Sequence, residues 1–171
     1  AEDGFAAANR VGRTLIRVEA DEATYHLHII IRYEIERELM AQRLDAADVP
    51  AAWNQRYKQY LDVDVPTDRQ GCLQDIHWSR ASMGYFPTYS LGSLYAAQLF
   101  EKATEDLGDL DAQFTAGEFA PLKRWLNAQI HGRGLTYRSV PLCEVVTGQP
   151  LSVEPFLRYL EGKLRPMYDG A

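Results

Sequence analysis

Apolar residues recur at helical intervals through the first quarter of the chain. Between positions 14 and 43 they follow the period of an amphipathic helix rather than the alternation of a strand. A competing strand interpretation rests on the apolar run at residues 27–31, but that run is short, and good helix formers such as Glu36, Arg37 and Leu39 follow it. The pattern therefore predicts one long helix over residues 14–43.

Six further helices are predicted downstream. Asp48 and Pro50 are typical of a helix start, and Gly108 is typical of a helix end. The predicted helices cover residues 48–61, 90–107, 109–116, 119–130, 141–147 and 153–164. Neither helical nor strand periodicity persists between residues 62 and 90, where Pro and Gly interrupt the chain. The sequence thus predicts an all-α fold, one helical segment over residues 1–171, with a long irregular loop at about 62–90.

Charge and composition narrow the function classes. The 171 residues are 46% hydrophobic and carry 18 Lys and Arg against 24 Asp and Glu, which gives a net charge of -6. That balance argues against binding to nucleic acid or an anionic membrane through bulk charge, and no apolar run is long enough to cross a bilayer. Cys72 and Cys143 do not make a disulfide framework, so we expect a cytoplasmic protein.

Motifs for metal or nucleotide binding are missing from the sequence. A helical zinc site needs two ligands on one face, as in His-Glu-x-x-His, whereas His26 and His28 are two positions apart and would point to different faces. The sequence has no Cys-x-x-Cys pair, no Walker loop, no Gly-x-Gly-x-x-Gly fingerprint and no Gly-x-Ser-x-Gly elbow. We therefore expect no metal site within this chain.

A polar stripe lies along the first predicted helix. If the helix extends to residue 14, one face carries Arg17, Asp21, Thr24, His28 and Arg32. This stripe is either a solvated charged face or, because the neighbouring positions are apolar, a partly buried one. A buried Arg17 must be paired, and Asp21 one turn later could hold it. The remaining edge of such a guanidinium would suit a carboxylate.

The irregular loop concentrates polar and aromatic side chains. Two stretches of it, residues 71–78 and 84–89, contain Gln74, Asp75, His77, Trp78, Tyr85 and Tyr89. Loops held by a scaffold often carry binding and catalytic groups. Asp75 could orient His77, and a tyrosine hydroxyl could donate to a developing oxyanion. The alternative is a well-packed loop in which the aromatic residues form core and Asp75 caps a turn.

Three ordered motifs resemble a known family. They are Ile16-Arg17-x-x-Ala20-Asp21, Gly71-x-x-Gln74-Asp75-x-His77-Trp78 and Gly84-Tyr85-Phe86-Pro87-Thr88-Tyr89. In that order they resemble the C-terminal part of the M32 metallocarboxypeptidases, also called carboxypeptidase Taq. The resemblance implies an all-α zinc exopeptidase, usually a homodimer, that removes the C-terminal residue of peptides. Its zinc ligands come from an upstream His-Glu-x-x-His helix and a following Glu, so the chain is expected to be inactive alone.

The resemblance also implies roles for individual residues. Arg17 would bind the substrate's C-terminal carboxylate, with Asp21 holding its orientation. His77 and Tyr89 would be catalytic residues beside the scissile carbonyl. The substrate-binding residues implied are Arg17, Asp21, Gln74, Asp75, Trp78 and Tyr85. The alternative, from another functional class, is a non-catalytic helical module that binds peptide C-termini or a partner protein.

The chain departs from the family pattern at several positions. Arg80 and Ala81 stand where the family commonly has glycines, Met83 stands where it usually has an aromatic residue, and Arg13 replaces a customary proline. Loss of glycines that allow positive φ could shift the loop. If an upstream half is absent, apolar residues that packed against it, such as Leu27, Ile31 and Ile35, would be exposed and would favour a dimer.

Overall fold

The computed structural model describes residues 2–168, and within them it is all-α, as predicted. The α-helices are α1 (Glu2–Ala8), α2 (Tyr25–Met40), α3 (Val49–Leu61), α4 (Pro87–Leu107), α5 (Leu110–Thr115), α6 (Ala120–Gln129), α7 (Ser139–Thr147) and α8 (Glu154–Tyr168). Single 3-10 turns occur at Arg17–Glu19, Ala46–Asp48, Trp78–Arg80 and His131–Arg133. None of the helices in this part of the chain has the length and apolar character needed to cross a bilayer.

The chain divides into two compact units, the first being Ala1–Ser90. Its core is built on α3, where four buried residues follow one another at intervals of four and so form a stripe on one face. These residues are Val49, Trp53, Tyr57 and Leu61. The stripe packs in one cluster with Ile31 and Ile35 of α2, which are 0% exposed. The expectation that Ile31, Ile35 and neighbouring Leu27 would be exposed is therefore wrong, because α3 within this chain covers that face.

The first helix is shorter than predicted. Residues 9–24 contain one 3-10 turn and no α-helix, and Ala20 is extended at φ -70°, ψ 143°. The Asp21 carboxylate accepts hydrogen bonds from the backbone N–H groups of Ala23 and Thr24, which satisfies donors at the start of α2. The polar residues from 17 to 32 therefore do not share one helical face.

The second unit is Leu91–Ala171. Its core joins Ala103 of α4, Leu110 of α5, Trp125 of α6 and Val146 of α7. The N–H group of Gly108 donates to Thr104 O with a φ of 81°, a left-handed conformation that ends α4 at the glycine. The predicted helices of this unit agree with the observed ones to within two residues at most ends, and α4 begins three residues earlier than predicted.

Candidate functional site

The loop between α3 and α4 is anchored by a close backbone contact. A Cβ added at Gly71 would lie 2.8 Å from Val65 Cγ1, 3.3 Å from the Thr67 carbonyl oxygen and 3.5 Å from Trp53 Cδ1. A side chain at this position would force Val65 to shift, since the first of these distances is shorter than real Cβ contacts. The loop therefore lies directly against the core, and Gln74 and Asp75 follow within one turn.

Arg17 is buried and bound to this loop. Its Nε and Nη2 atoms donate to Asp75 Oδ1 at 3.0 and 2.7 Å, and its Nη1 atom donates to Tyr25 Oη at 3.1 Å. The guanidinium also faces the Tyr89 ring, 5.1 Å from its centroid. These three hydrogen bonds restrain the guanidinium, and 9% of the side chain remains exposed.

A second arginine, Arg32, completes the cluster from inside. It is 0% exposed and donates from Nε to Asp75 Oδ2 at 2.6 Å and from Nη2 to Gln74 Oε1 at 2.9 Å. Its Nη1 atom donates to the carbonyl oxygen of His28 at 2.7 Å, and the guanidinium lies 4.5 Å from the Trp53 ring centroid. We call Arg17, Arg32 and Asp75 the arginine–aspartate cluster. Sequence reasoning did not assign Arg32 to the site, although it placed this residue on the polar stripe.

The cluster contains two guanidinium groups and one carboxylate. Burial by itself would raise the pKa of Asp75, but the hydrogen bond from Arg17 and the charge of Arg32 outweigh it and hold this pKa below its usual value. Asp75 is therefore ionised at neutral pH. The cluster then carries one net positive charge in a place that is almost closed to water.

Asp21 does not hold Arg17, and this part of the interpretation is wrong. The Asp21 carboxylate accepts from the Gly12 N–H at 3.0 Å and from the Thr24 hydroxyl at 2.7 Å, in addition to the two N–H groups at the start of α2. These hydrogen bonds lower the pKa of Asp21 despite its partial burial, which acts in the opposite direction. The carboxylate that orients Arg17 is Asp75, 58 residues away in sequence.

His77 and Tyr89 lie together beside the cluster. The His77 Nε2 and Tyr89 Oη atoms are 3.0 Å apart, and His77 Nδ1 is 3.9 Å from Asp75 Oδ1. The His77 ring also packs on the Phe86 ring at 4.3 Å between centroids. Nδ1 is buried without a hydrogen-bond partner. The structure thus brings Arg17, Asp75, His77 and Tyr89 to one place, as the sequence motifs predicted.

Trp78 and Tyr85 have different environments. The Trp78 indole Nε1 donates to Glu36 Oε1 at 2.8 Å, and the Gly84 N–H donates to Glu36 Oε2 at 3.2 Å, so one buried carboxylate holds both ends of residues 78–84. Tyr85 is 50% exposed, and its ring is tilted against that of His77 with 5.7 Å between the centroids. Glu36 was missed as a site residue; the signal for it was an acidic residue next to the buried Ile35.

One departure from the family glycines, Ala81, occupies a left-handed backbone position. Ala81 adopts a φ of 55° at the end of the 3-10 turn, the left-handed region that glycine favours. A non-glycine residue pays about 1 kcal/mol there. The backbone therefore keeps the positive φ despite the alanine. Met83 is 36% exposed.

The comparison with known proteins assigns the chain to a family. The family model described as carboxypeptidase Taq (M32) metallopeptidase matches residues 1–164. The chain belongs to the M32 family. It is 47% identical over 167 residues to thermostable carboxypeptidase 1 of Thermus thermophilus and 44% identical to carboxypeptidase 1 of Bacillus subtilis. These alignments cover 98% of the chain and 33% of each relative, so the M32 chain spans about a third of their length and corresponds to a C-terminal portion.

Solved structures agree with this M32 assignment. The crystal structure of the M32 carboxypeptidase from Deinococcus radiodurans R1 matches with a TM-score of 0.95 at 38% identity, covering 98% of the chain and 34% of the other. The Trypanosoma cruzi metallocarboxypeptidase 1 matches with a TM-score of 0.92 at 39% identity, covering 96% of the chain and 35% of the other. The fold and the family are therefore consistent.

An M32 metallopeptidase implies a metal ion. Over residues 2–168, no three or more His, Cys, Asp and Glu side chains are grouped so that they could hold one. In the cluster itself, Asp75 is already saturated by two guanidinium groups, which is unsuitable for a cation ligand. The described residues do not fit a metal site.

Proposed function

We propose that this chain forms the substrate-carboxylate wall of a zinc-dependent M32 carboxypeptidase, an enzyme that removes the C-terminal residue of peptides. In this proposal the metal is held by a segment outside the chain. The observation that carries the proposal is the net positive charge of the arginine–aspartate cluster. An enclosed cation is costly unless an anion neutralises it, and a peptide's α-carboxylate is such an anion.

Arg17 is the member of the cluster that contacts the carboxylate. A guanidinium has five N–H donors, and the hydrogen bonds of Arg17 to Asp75 and Tyr25 use three of them. Two donors remain for a ligand. The bonds to Asp75 prevent rotation of the guanidinium, so a bound peptide end would be held in one orientation.

His77 and Tyr89 supply the groups next to the scissile bond. Their mutual contact of 3.0 Å places an imidazole nitrogen and a phenol oxygen side by side, close to the Arg17 guanidinium. In the proposed reaction the Tyr89 hydroxyl donates to the carbonyl oxygen of the scissile peptide as negative charge develops on it. His77 orients that hydroxyl through the hydrogen bond.

Other features of the proposal rest on the resemblance. These are zinc as the metal, a cytoplasmic location, a peptide substrate and a homodimeric assembly. The role of Gln74 and Trp78 as pocket-building residues is supported by their contacts with Arg17 and Glu36, and Tyr85 is proposed to contact the substrate because half of its surface is exposed.

The carboxylate preference can be measured on the chain itself. Titration of the 15N-labelled chain with acetyl-alanyl-alanine, and separately with its C-terminal amide, is followed by NMR at the Trp78 indole N–H. We expect the free acid to bind about tenfold tighter or more, because hydrogen bonds to a charged group contribute about 1.5–3 kcal/mol. Arg17→Gln should remove the difference.

A control variant excludes a general charge effect. Arg13 is 64% exposed and pairs with Asp62, so Arg13→Gln removes the same charge outside the site. This variant should keep the preference for the free acid. Equal binding of acid and amide by the unmodified chain would refute the proposal.

The pure chain is expected not to hydrolyse peptides. A blocked dipeptide incubated with it should remain intact, because tyrosine and histidine side chains do not replace a metal that activates water. Release of the C-terminal amino acid that persists in the presence of a chelator would contradict this expectation. Hydrolysis by the longer enzyme but only binding by the chain would favour the carboxypeptidase over a non-catalytic binding module.

A further inference from the structure

We infer that Arg32 is a positioning residue that neutralises Asp75 and so leaves the charge of Arg17 to the substrate carboxylate. The inference rests on the proposed function and adds a residue to it. Arg32 does not contact the substrate, since it is 0% exposed, and it acts through Asp75. None of the three sequence motifs contains it.

The two oxygens of Asp75 are divided between the two arginines. Oδ1 accepts from Arg17 and Oδ2 accepts from Arg32 at 2.6 Å. A pair of Arg17 and Asp75 alone would be neutral, and an incoming carboxylate would compete with Asp75 for the same guanidinium. With Arg32 present, the negative charge of Asp75 is balanced from the far side, so the cluster attracts a second anion.

The surroundings of Arg32 keep its charge close to Asp75. The guanidinium lies over the rings of Trp53 and Phe86, 4.5 and 5.5 Å from their centroids. It has no opening to solvent, and low polarity around a charge strengthens its effect on neighbouring groups. The Arg32 guanidinium donates hydrogen bonds to Asp75, to Gln74 and to groups of α2 and α3, and among these partners Asp75 alone is charged.

Arg32 also fixes the backbone of Arg17. Gln74 Oε1 accepts from Arg32 Nη2 at 2.9 Å and from the Arg17 backbone N–H at 2.9 Å. The Gln74 amide nitrogen donates in turn to the carbonyl oxygens of Leu15 and Gln70. Through Asp75 and Gln74, Arg32 therefore sets both the side chain and the main chain of the residue that receives the ligand.

Charge and structure can be separated with two variants. Arg32→Gln leaves Arg17 and Asp75 as a neutral pair, and we expect its preference for acetyl-alanyl-alanine over the amide to fall about tenfold or more. Arg32→Gln combined with Asp75→Asn restores one net positive charge and leaves two amides facing each other. This double variant should regain the preference to within about threefold of the unmodified chain. A purely structural role would make the double variant worse than the single one.

Further variants serve as a control and as a safeguard against misfolding. Arg56 pairs with Glu34 and Glu38 of α2, outside the cluster, so Arg56→Gln should leave the preference unchanged.

Arg32→Lys keeps the charge and should keep the preference for the free acid to within about threefold of the unmodified chain. Should Arg32→Gln not fold, Arg32→Lys is compared with Arg32→Lys combined with Asp75→Asn, whose added positive charge should increase the preference.

The outcomes distinguish the inference from the function it rests on. No preference in the unmodified chain would overturn the proposed function. A clear preference in the unmodified chain that survives Arg32→Gln, or that the double variant fails to recover, would overturn the role of Arg32 alone. If Arg32→Lys combined with Asp75→Asn shows the same preference as Arg32→Lys alone, or a lower one, the role of Arg32 is likewise overturned.

Discussion

Replacing Asp75 with asparagine is expected to lower the free energy of unfolding of the first unit by about 3–5 kcal/mol. Asp75 is the carboxylate between Arg17 and Arg32, whose side chains are 9% and 0% exposed. Without it two buried guanidinium groups keep their charges and lose their shared anion. The loss exceeds that of an ordinary hydrogen bond, because neither arginine can turn to water without disrupting the packing.

The measurement is urea unfolding at pH 7, followed by tryptophan fluorescence. Trp125 belongs to the second unit, so a Trp125→Phe background leaves Trp53 and Trp78 to report on the first. Asp62→Asn is the matched control: Asp62 also pairs with two cations, but it is 62% exposed, so its loss should destabilise the first unit far less than the loss of Asp75.

The double variant provides a second comparison. If the loss arises from uncompensated charge, Asp75→Asn combined with Arg32→Gln should be more stable than Asp75→Asn alone. Equal effects of Asp75→Asn and Asp62→Asn would show that the buried carboxylate contributes no more than a surface one, and would contradict the role of Asp75 as the counter-ion of both arginines.

The stability of the first unit is expected to fall by about 2 kcal/mol between pH 6.5 and pH 4 because of His28. Burial, with the nearby charges of Arg32 and Arg17, lowers the pKa of His28 to about 4. In the unfolded chain the His28 imidazole has a pKa near 6.5. As pH falls, the unfolded state therefore binds a proton before the folded state does. Stability from the neutral imidazole is therefore complete above pH 6.5 and is lost toward pH 4.

The variant His28→Gln, which is neutral at every pH, isolates this contribution. It should remove about 2 kcal/mol of the pH dependence in urea unfolding. His26 also has a pKa lowered by burial and acts in the same direction, so some dependence should remain in both proteins. The pKa values of Asp21 and Asp75 are lowered, so the stability that these carboxylates contribute is present above pH 4 and is lost chiefly below it. Identical slopes in the two proteins would show that His28 is not the titrating group.

The elements of the fold that depend on local pattern were predictable. The stripe from Val49 to Leu61 repeats every four residues, and α3 has the predicted end. The error at residues 14–24 has a long-range cause. Arg17 leaves the helical register because its partner Asp75 is 58 residues away, and Asp21 uses its carboxylate to begin α2. Periodicity cannot report either contact, since both depend on side-chain hydrogen bonds.

The sequence predicted several residues that lie together at the site, but neither all of them nor their pairings. The motifs identified Arg17, Asp75, His77 and Tyr89, and the structure brings them together. Proximity in sequence suggested Asp21 as the partner of Arg17, whereas the folded chain uses Asp75. Arg32 was overlooked because it lies inside a helix and outside the motifs, where a charged residue is commonly assigned to the surface.

The hydrogen bonds of the arginine–aspartate cluster span 43 and 58 residues of sequence. The proposed affinity for an anion therefore requires the loop at residues 71–75 to be packed against Arg17 and Arg32, and no continuous segment of the chain would show it alone. A local opening that carries residues 71–75 away from α2 would strip both guanidiniums of their counter-ion in the same event. Added carboxylate ligand should consequently slow amide hydrogen exchange in that loop, because it binds the docked state and not the opened one.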